Sequence, residues 1–149
     1  MRIWTSVVRL TAAAAMMAAA MGAAPQAQEG QGGQLAVTVK YTGAGTVDKE
    51  HRIWVFLFDT PNISTESMPV ATGVISENGG AYKFVGLPTE VYIAASYDEQ
   101  GGYDMSGPPP SGTPVTIHGM ASTGSATAVP TGGADATVTV TFDDSMRIP

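Results

Sequence analysis

Six consecutive residues, Ile53-Trp54-Val55-Phe56-Leu57-Phe58, carry no polar side chain. In an extended segment, successive side chains point to opposite faces. A run that is apolar at every position therefore needs cover on both sides. Its β-branched and aromatic residues favour a strand, the run is short for a helix of comparable burial, and Asp59, Pro61 and Asn62 end it. The chain must contain a central strand with material above and below.

The flanking segments supply that material. Leu35, Val37, Val39 and Tyr41 alternate with Ala36, Thr38 and Lys40, the period of a strand with one buried face. Residues 70–76 read as a third strand. Glu77-Asn78-Gly79-Gly80 then reads as a hairpin turn, since Asn and Gly tolerate the positive φ such turns require, with residues 81–85 pairing back across it. Gly86-Leu87-Pro88 makes a corner into a strand over residues 91–97. A long Gly/Pro loop, 98–113, leads to a short sixth strand, 114–118, which Pro114 assigns to a sheet edge. Residues 120–133 are mostly Ala, Ser, Thr and Gly, the composition of a loop or one weak strand. In the last strand, residues 135–142, Ala136, Val138, Val140 and Phe142 alternate with Thr137, Thr139 and Thr141. Short strands separated by Gly/Pro turns, with no helical period after residue 34, predict an all-β, antiparallel, seven-stranded β-sandwich.

The start of the chain is different. Arg2 and Arg9 precede an Ala-rich apolar stretch that ends at Pro25, the layout of a helical secretory signal peptide. The stretch falls short of the about 20 apolar residues that a membrane-spanning helix needs. We divide the chain into a signal peptide at 1–27, a Gly/Gln linker at 28–34, and one domain at 35–149. Export to the periplasm or the medium follows. The chain contains no cysteine, so neither lipidation nor a disulfide is available and the core must supply the stability. The net charge is −6, and losing Arg2 and Arg9 makes the exported part more acidic still. An acidic surface excludes nucleic acid as a partner, because that binding depends on Lys and Arg displacing counterions.

Three features together carry a family resemblance: Trp54 to Phe58 ahead of a hairpin, Tyr82-x-Phe84-x-x-Leu87-Pro88-x-x-x-Tyr92, and Asp98 opening a Gly-rich loop. With them the chain resembles the carboxypeptidase regulatory-like domain, one of the transthyretin-like, prealbumin-type sandwiches. The resemblance implies a prealbumin-like sandwich that accompanies or binds another molecule and does not catalyse. The sequence departs from the family pattern at Glu90, where members usually carry glycine.

Chemical sites are sparse. His51 and His118 stand at strand ends with no second ligand at metal-binding spacing. No serine sits in a Gly-x-Ser-x-Gly elbow. Carboxylate pairs such as Asp98/Asp104 and Asp143/Asp144 lack the deep cleft in which glycosidases enclose their acids. Met68, Met105, Met120 and Met146 are dispersed in sequence and read as gap fillers and not as a copper cluster. Two candidates remain. The loop around Asp98, Glu99 and Asp104 has the hinge glycines of a calcium site, but Gln100 and Gly102 replace two acidic ligands, so any calcium affinity is weak and no other cofactor is expected. An aromatic platform for carbohydrate would use Trp54, Tyr97 and Tyr103, although a core would claim the same rings.

The sequence thus describes a non-catalytic, exported accessory or binding sandwich, acting on a polysaccharide or a protein of the cell envelope. The alternative is a structural envelope protein that self-associates through sheet edges, with the sixth strand as the weak edge. A transthyretin-like hydrolase ranks below both, for want of clustered His and Arg. Mass spectrometry of the exported protein should find an N-terminus near Gln28; a chain still beginning at Met1 would refute the leader.

Overall fold

The computed structural model describes residues 33–149. The proposed signal peptide, and all of the linker before Gly33, lie outside these residues. The described part is a two-layer all-β sandwich built from β1 (Leu35–Tyr41), β2 (Ile53–Phe58), β3 (Ala71–Ile75), β4 (Ala81–Phe84), β5 (Glu90–Tyr97), β6 (Val115–Ile117), β7 (Val129–Pro130) and β8 (Ala136–Phe142). A single helical turn, α1 (Met120–Thr123), sits between β6 and β7. One layer has the order β4-β1-β8, and the other β3-β2-β5-β6, with β7 pairing the start of β5.

The apolar run of β2 sits in the middle of the larger sheet, and every one of its residues is buried. Ile53, Val55 and Leu57 point inward, joined by Val91, Ile93, Ala95 and Tyr97 from β5 and by Leu35, Val37, Val39 and Tyr41 from β1. Burying a Val, Leu, Ile or Phe fully stabilises a fold by about 1.5–3 kcal/mol each, so this inter-sheet layer dominates the folding energy.

Three expectations need correction. There are eight strands, the extra one being β7 in the low-complexity stretch. The sandwich is not purely antiparallel: β1 and β8 run parallel in unbroken register from Leu35↔Ala136 to Tyr41↔Phe142. Finally, the Asn-Gly turn does not make a hairpin, because β3 pairs β2 while β4 pairs β1. The turn carries the chain from one sheet to the other. Asn78 explains why: its side-chain amide donates to Tyr41 O (2.7 Å) and its Oδ1 accepts from Tyr41 N–H (2.8 Å), so it acts as one more residue of the β4 side of the ladder. Gly79 takes the positive φ of 82° that the turn requires.

The corner after β4 is equally specific. Its positive φ falls at Gly86 (67°), Leu87 plugs the core, and Glu90 is simply the first residue of β5, opposite Pro130. A glycine at position 90 is therefore not needed. The sixth strand is not an open edge either. The C-terminal residues return along its start, with Val115 N–H donating to Met146 O (2.9 Å) and Ile148 N–H donating to Thr113 O (3.0 Å).

At one end of the sandwich Tyr41 stacks on Tyr97, with ring centroids 4.2 Å apart. The Tyr97 hydroxyl donates to Thr46 O (2.9 Å), and the Tyr41 hydroxyl donates to Asp144, whose other oxygen accepts from Ala44 N–H. Burial, and then the Asp144 carboxylate, push the Tyr41 phenol well above its ordinary pKa; the same hydrogen bond holds Asp144 below its own. At the opposite side β3 and β4 close the two layers together. There Gly73 lies under the Tyr82 ring, and a Cβ would sit 2.5 Å from Tyr82 Cδ1 and 2.9 Å from Phe84 Cζ. Gly73→Ala should cost about 1–3 kcal/mol in urea unfolding through overpacking, whereas Gly107→Ala, with nothing within 4 Å, should change stability by less than about 0.5 kcal/mol.

Candidate functional site

The outward face of β2 presents Arg52, Trp54, Phe56 and Phe58 at alternate positions. Trp54, Phe56 and Phe58 are buried, and with Ala94 of β5 they form a second apolar cluster separate from the inter-sheet core. Among the described residues no third layer covers it. Ile63 from the loop after β2, Tyr103 from the loop after β5, and Val74, Tyr92 and Ile117 from neighbouring strands pack around it instead.

This cover leaves a groove of about 940 Å³. Phe56, Phe58 and Ala94 line its floor, residues 63–70 and 103–109 contribute to its walls, and residues 146–149 line it as well. Of the six large hydrophobic residues that are exposed among the described residues, four line this groove: Met68 (83% exposed), Val70 (43%), Met105 (41%) and Met146 (37%). Three of the four methionines that look dispersed in the sequence, Met68, Met105 and Met146, therefore converge in space as exposed residues and not gap fillers, while Met120 lies apart, half-buried at the start of α1. Met105 also has a φ of 65°, the one non-glycine residue with positive φ among the described residues. Side chains in that region are strained.

The three aromatic candidates do not form one plane. Trp54 and Tyr103 meet edge to face, with centroids 5.1 Å apart, while Arg52 covers the indole at 5.1 Å. Tyr97 is on the opposite face of the sheet, in the core against Tyr41. Arg52 Nε and Trp54 Nε1 are buried donors with no acceptor among the described residues.

Nor do the three loop acids turn to a common point. Asp98 is buried and faces its own loop, Oδ1 accepting from Gly101 N–H and Oδ2 from Tyr103 N–H, both at 2.9 Å. Glu99 pairs with Arg147 (2.9 Å). Asp104 is exposed and accepts from Ser106 N–H; hydrogen bonds from Ser106 hold its carboxyl below the usual range. Among the described residues, no group of three His, Cys, Asp or Glu side chains is placed to hold a metal ion. Asp98 instead acts as a clamp that presents Tyr103 to Trp54. Burial, followed by the charges of Asp104 and Asp98, raises the Tyr103 phenol pKa. His51 Nδ1 lies 3.1 Å from Asp48, three residues away, and closes a local turn.

The groove was missed in the sequence because its parts come from three separated loops. One signal was available: Met68, Val70, Met105 and the Pro108-Pro109-Pro110 run are apolar residues in segments that connect strands, where polar residues are the norm.

No family model matches the chain, and no curated protein does. Among solved structures, a pilus-presented adhesin superposes with a TM-score of 0.34 at 15% identity, over 77% of this chain and 27% of the adhesin chain. A likeness that distant carries no argument for family or function.

Losing the Asp98 clamp should free Tyr103 from Trp54. Asp98→Ala leaves the Tyr103 N–H without its acceptor and the Gly101 N–H with only its longer bond to Asp98 O (3.3 Å), which should cost about 1–3 kcal/mol. Trp54 is the only tryptophan after residue 27, so acrylamide quenching of the fluorescence of a chain beginning at Gln28 should rise in the variant. Unchanged quenching would mean Tyr103 is held by other contacts.

Proposed function

We propose that this chain is an exported, non-catalytic binding module whose groove receives an extended apolar segment of a partner polypeptide. The observation that carries this reading is the convergence of Met68, Val70, Met105 and Met146, all exposed, on one groove of about 940 Å³. That volume falls within the usual span of ligand sites, about 300–1,000 Å³. Contiguous exposed apolar surface on a small domain marks an interaction site. Methionine suits such a site because its unbranched, polarizable side chain adapts to a partner's shape.

The same geometry favours a polypeptide over a polysaccharide. A sugar platform needs rings exposed in one plane with polar groups beside them, whereas Trp54 is buried under Arg52 and Tyr103 and the groove floor is Phe56, Phe58 and Ala94. Export is supported by the Arg2/Arg9 start and the Ala-rich run. No helix among the described residues is long and apolar enough to cross a membrane. The kinship with carboxypeptidase regulatory-like sandwiches belongs to this proposal too; Leu87 buried at the corner and the Trp54–Phe58 strand at the sheet centre support it. Weak calcium in the loop at Asp98 would have to compete with the Gly101 and Tyr103 amides for the same oxygens.

The test uses Met68→Glu/Met105→Glu, which alters exposed side chains and should leave the melting temperature nearly unchanged. On an array of apolar, proline-containing peptides the wild type should bind a subset and the variant should lose at least about tenfold in affinity, the equivalent of 1.4 kcal/mol. Retention of the wild type on a polysaccharide column, unaffected by the double substitution, would overturn the reading.

A further inference from the structure

The three-stranded sheet ends at β8, and among the described residues no strand pairs with this edge. The Ala136 N–H donates to Gln34 O and Phe142 O accepts from Thr42 N–H, both at 2.8 Å. Between those ends the parallel register with β1 is unbroken. Backbone groups of alternate residues point to alternate sides of a strand, so Ala136, Val138, Val140 and Phe142 face β1. Thr137, Thr139 and Thr141 turn their N–H and C=O groups outward, and among the described residues none of these groups has a partner.

Natural sheets blunt such edges with charge, proline, a bulge or a covering segment. This chain does so at the start of β6, where residues 146–148 pair with residues 112–115. At β8 it does not: Ala-Thr-Val-Thr-Val-Thr-Phe contains neither charge nor proline, and no bulge interrupts it. The charges stand at the two ends instead, both exposed: Asp135 before the strand, where its Oδ1 accepts from Gln34 N–H (3.0 Å), and Asp143 after it, where its Oδ1 accepts from Ser145 N–H (2.9 Å).

We propose that the β8 edge accepts an uncharged extended strand of another polypeptide that carries Lys or Arg at each end. Strand addition of this kind takes its affinity from main-chain hydrogen bonds and its selectivity from the side chains beside them. The flanking acids decide which strand is accepted. A second copy of this chain, paired antiparallel over the full strand with Thr139 at the centre, would set Asp135 of each copy opposite Asp143 of the other. Like charges directly opposite destabilise a ladder, so the edge repels its own kind and attracts a basic-ended strand. The site lies in the other sheet from the groove and does not depend on it.

The test pairs the full exported chain with a synthetic peptide of alternating Thr and Val ending in Lys at both termini, and with its Glu-ended counterpart. The Lys-ended peptide should slow amide exchange at Thr137, Thr139 and Thr141, and should bind about tenfold tighter than the Glu-ended one, from two charge pairs that change sign. Thr139→Pro deletes an N–H that points away from β1, so it should keep the fold and abolish the protection. Asp135→Lys/Asp143→Lys, which leaves the strand itself untouched, should reverse the peptide preference. Equal affinity for the two peptides, or no protection of the three threonine amides by either, overturns the proposal. So does concentration-dependent dimerisation of the wild type that Thr139→Pro removes, since the occupant would then be a second copy.

Discussion

The two-sided burial of β2 organises the rest of the molecule. Its inner side chains, Ile53, Val55 and Leu57, require an opposing sheet, and β1 provides the centre of one. Its outer side chains, Trp54, Phe56 and Phe58, require cover as well, yet the described residues hold no third layer to give it. Loops take that role, anchored by single contacts such as Tyr103 on Trp54. Loops cannot tile an apolar surface as completely as a sheet, because their own backbone groups need partners or water. The groove is the uncovered remainder. The feature that makes the sandwich stable is thus the one that leaves it with an apolar groove.

Polar side chains finish what the strands leave incomplete. Asn78 completes the β1 ladder beyond β4, Asp98 satisfies two amides of the loop after β5, and the Thr131 hydroxyl, fully buried, donates to Pro88 O at the corner. Each sits in a segment between strands and ties two distant parts of the chain or a whole loop together. Buried polar groups must be paired, and in this fold the pairing is concentrated at crossings between elements.

Much of this was legible in the residues. Period-two alternation located β1, β5 and β8, the apolar run located β2 and its double burial, and Gly79 marked its turn correctly. Pairing was not legible. An Asn-Gly turn is compatible with a hairpin or with a crossing between sheets, and what decides here is a contact between Asn78 and Tyr41, 37 residues apart. The parallel partnership of β1 and β8 is likewise a matter of global topology, since alternation reports burial and is silent about direction. At the candidate site, the burial of Trp54 and Phe56 followed from their strand. The placement of Tyr97 on the face opposite Trp54 was hidden, because it depends on how β5 registers against β2, with Ile53 opposite Tyr97. The groove was hidden most deeply, being assembled from loops far apart in sequence.

The parallel register of β1 and β8 also fixes how the domain carries tension. The chain enters the domain at the start of β1 and leaves β8 at the far end of the same ladder. A pull between those two points slides one strand along the other and loads the whole row of backbone hydrogen bonds at once. In an antiparallel arrangement of first and last strands the two points would lie at one end, and the bonds would open one after another like a zip. The returning residues 146–148 add a second tether on the other sheet. A domain held between two attachments by these strands resists extension by shear, the stiffest direction that a β-ladder has.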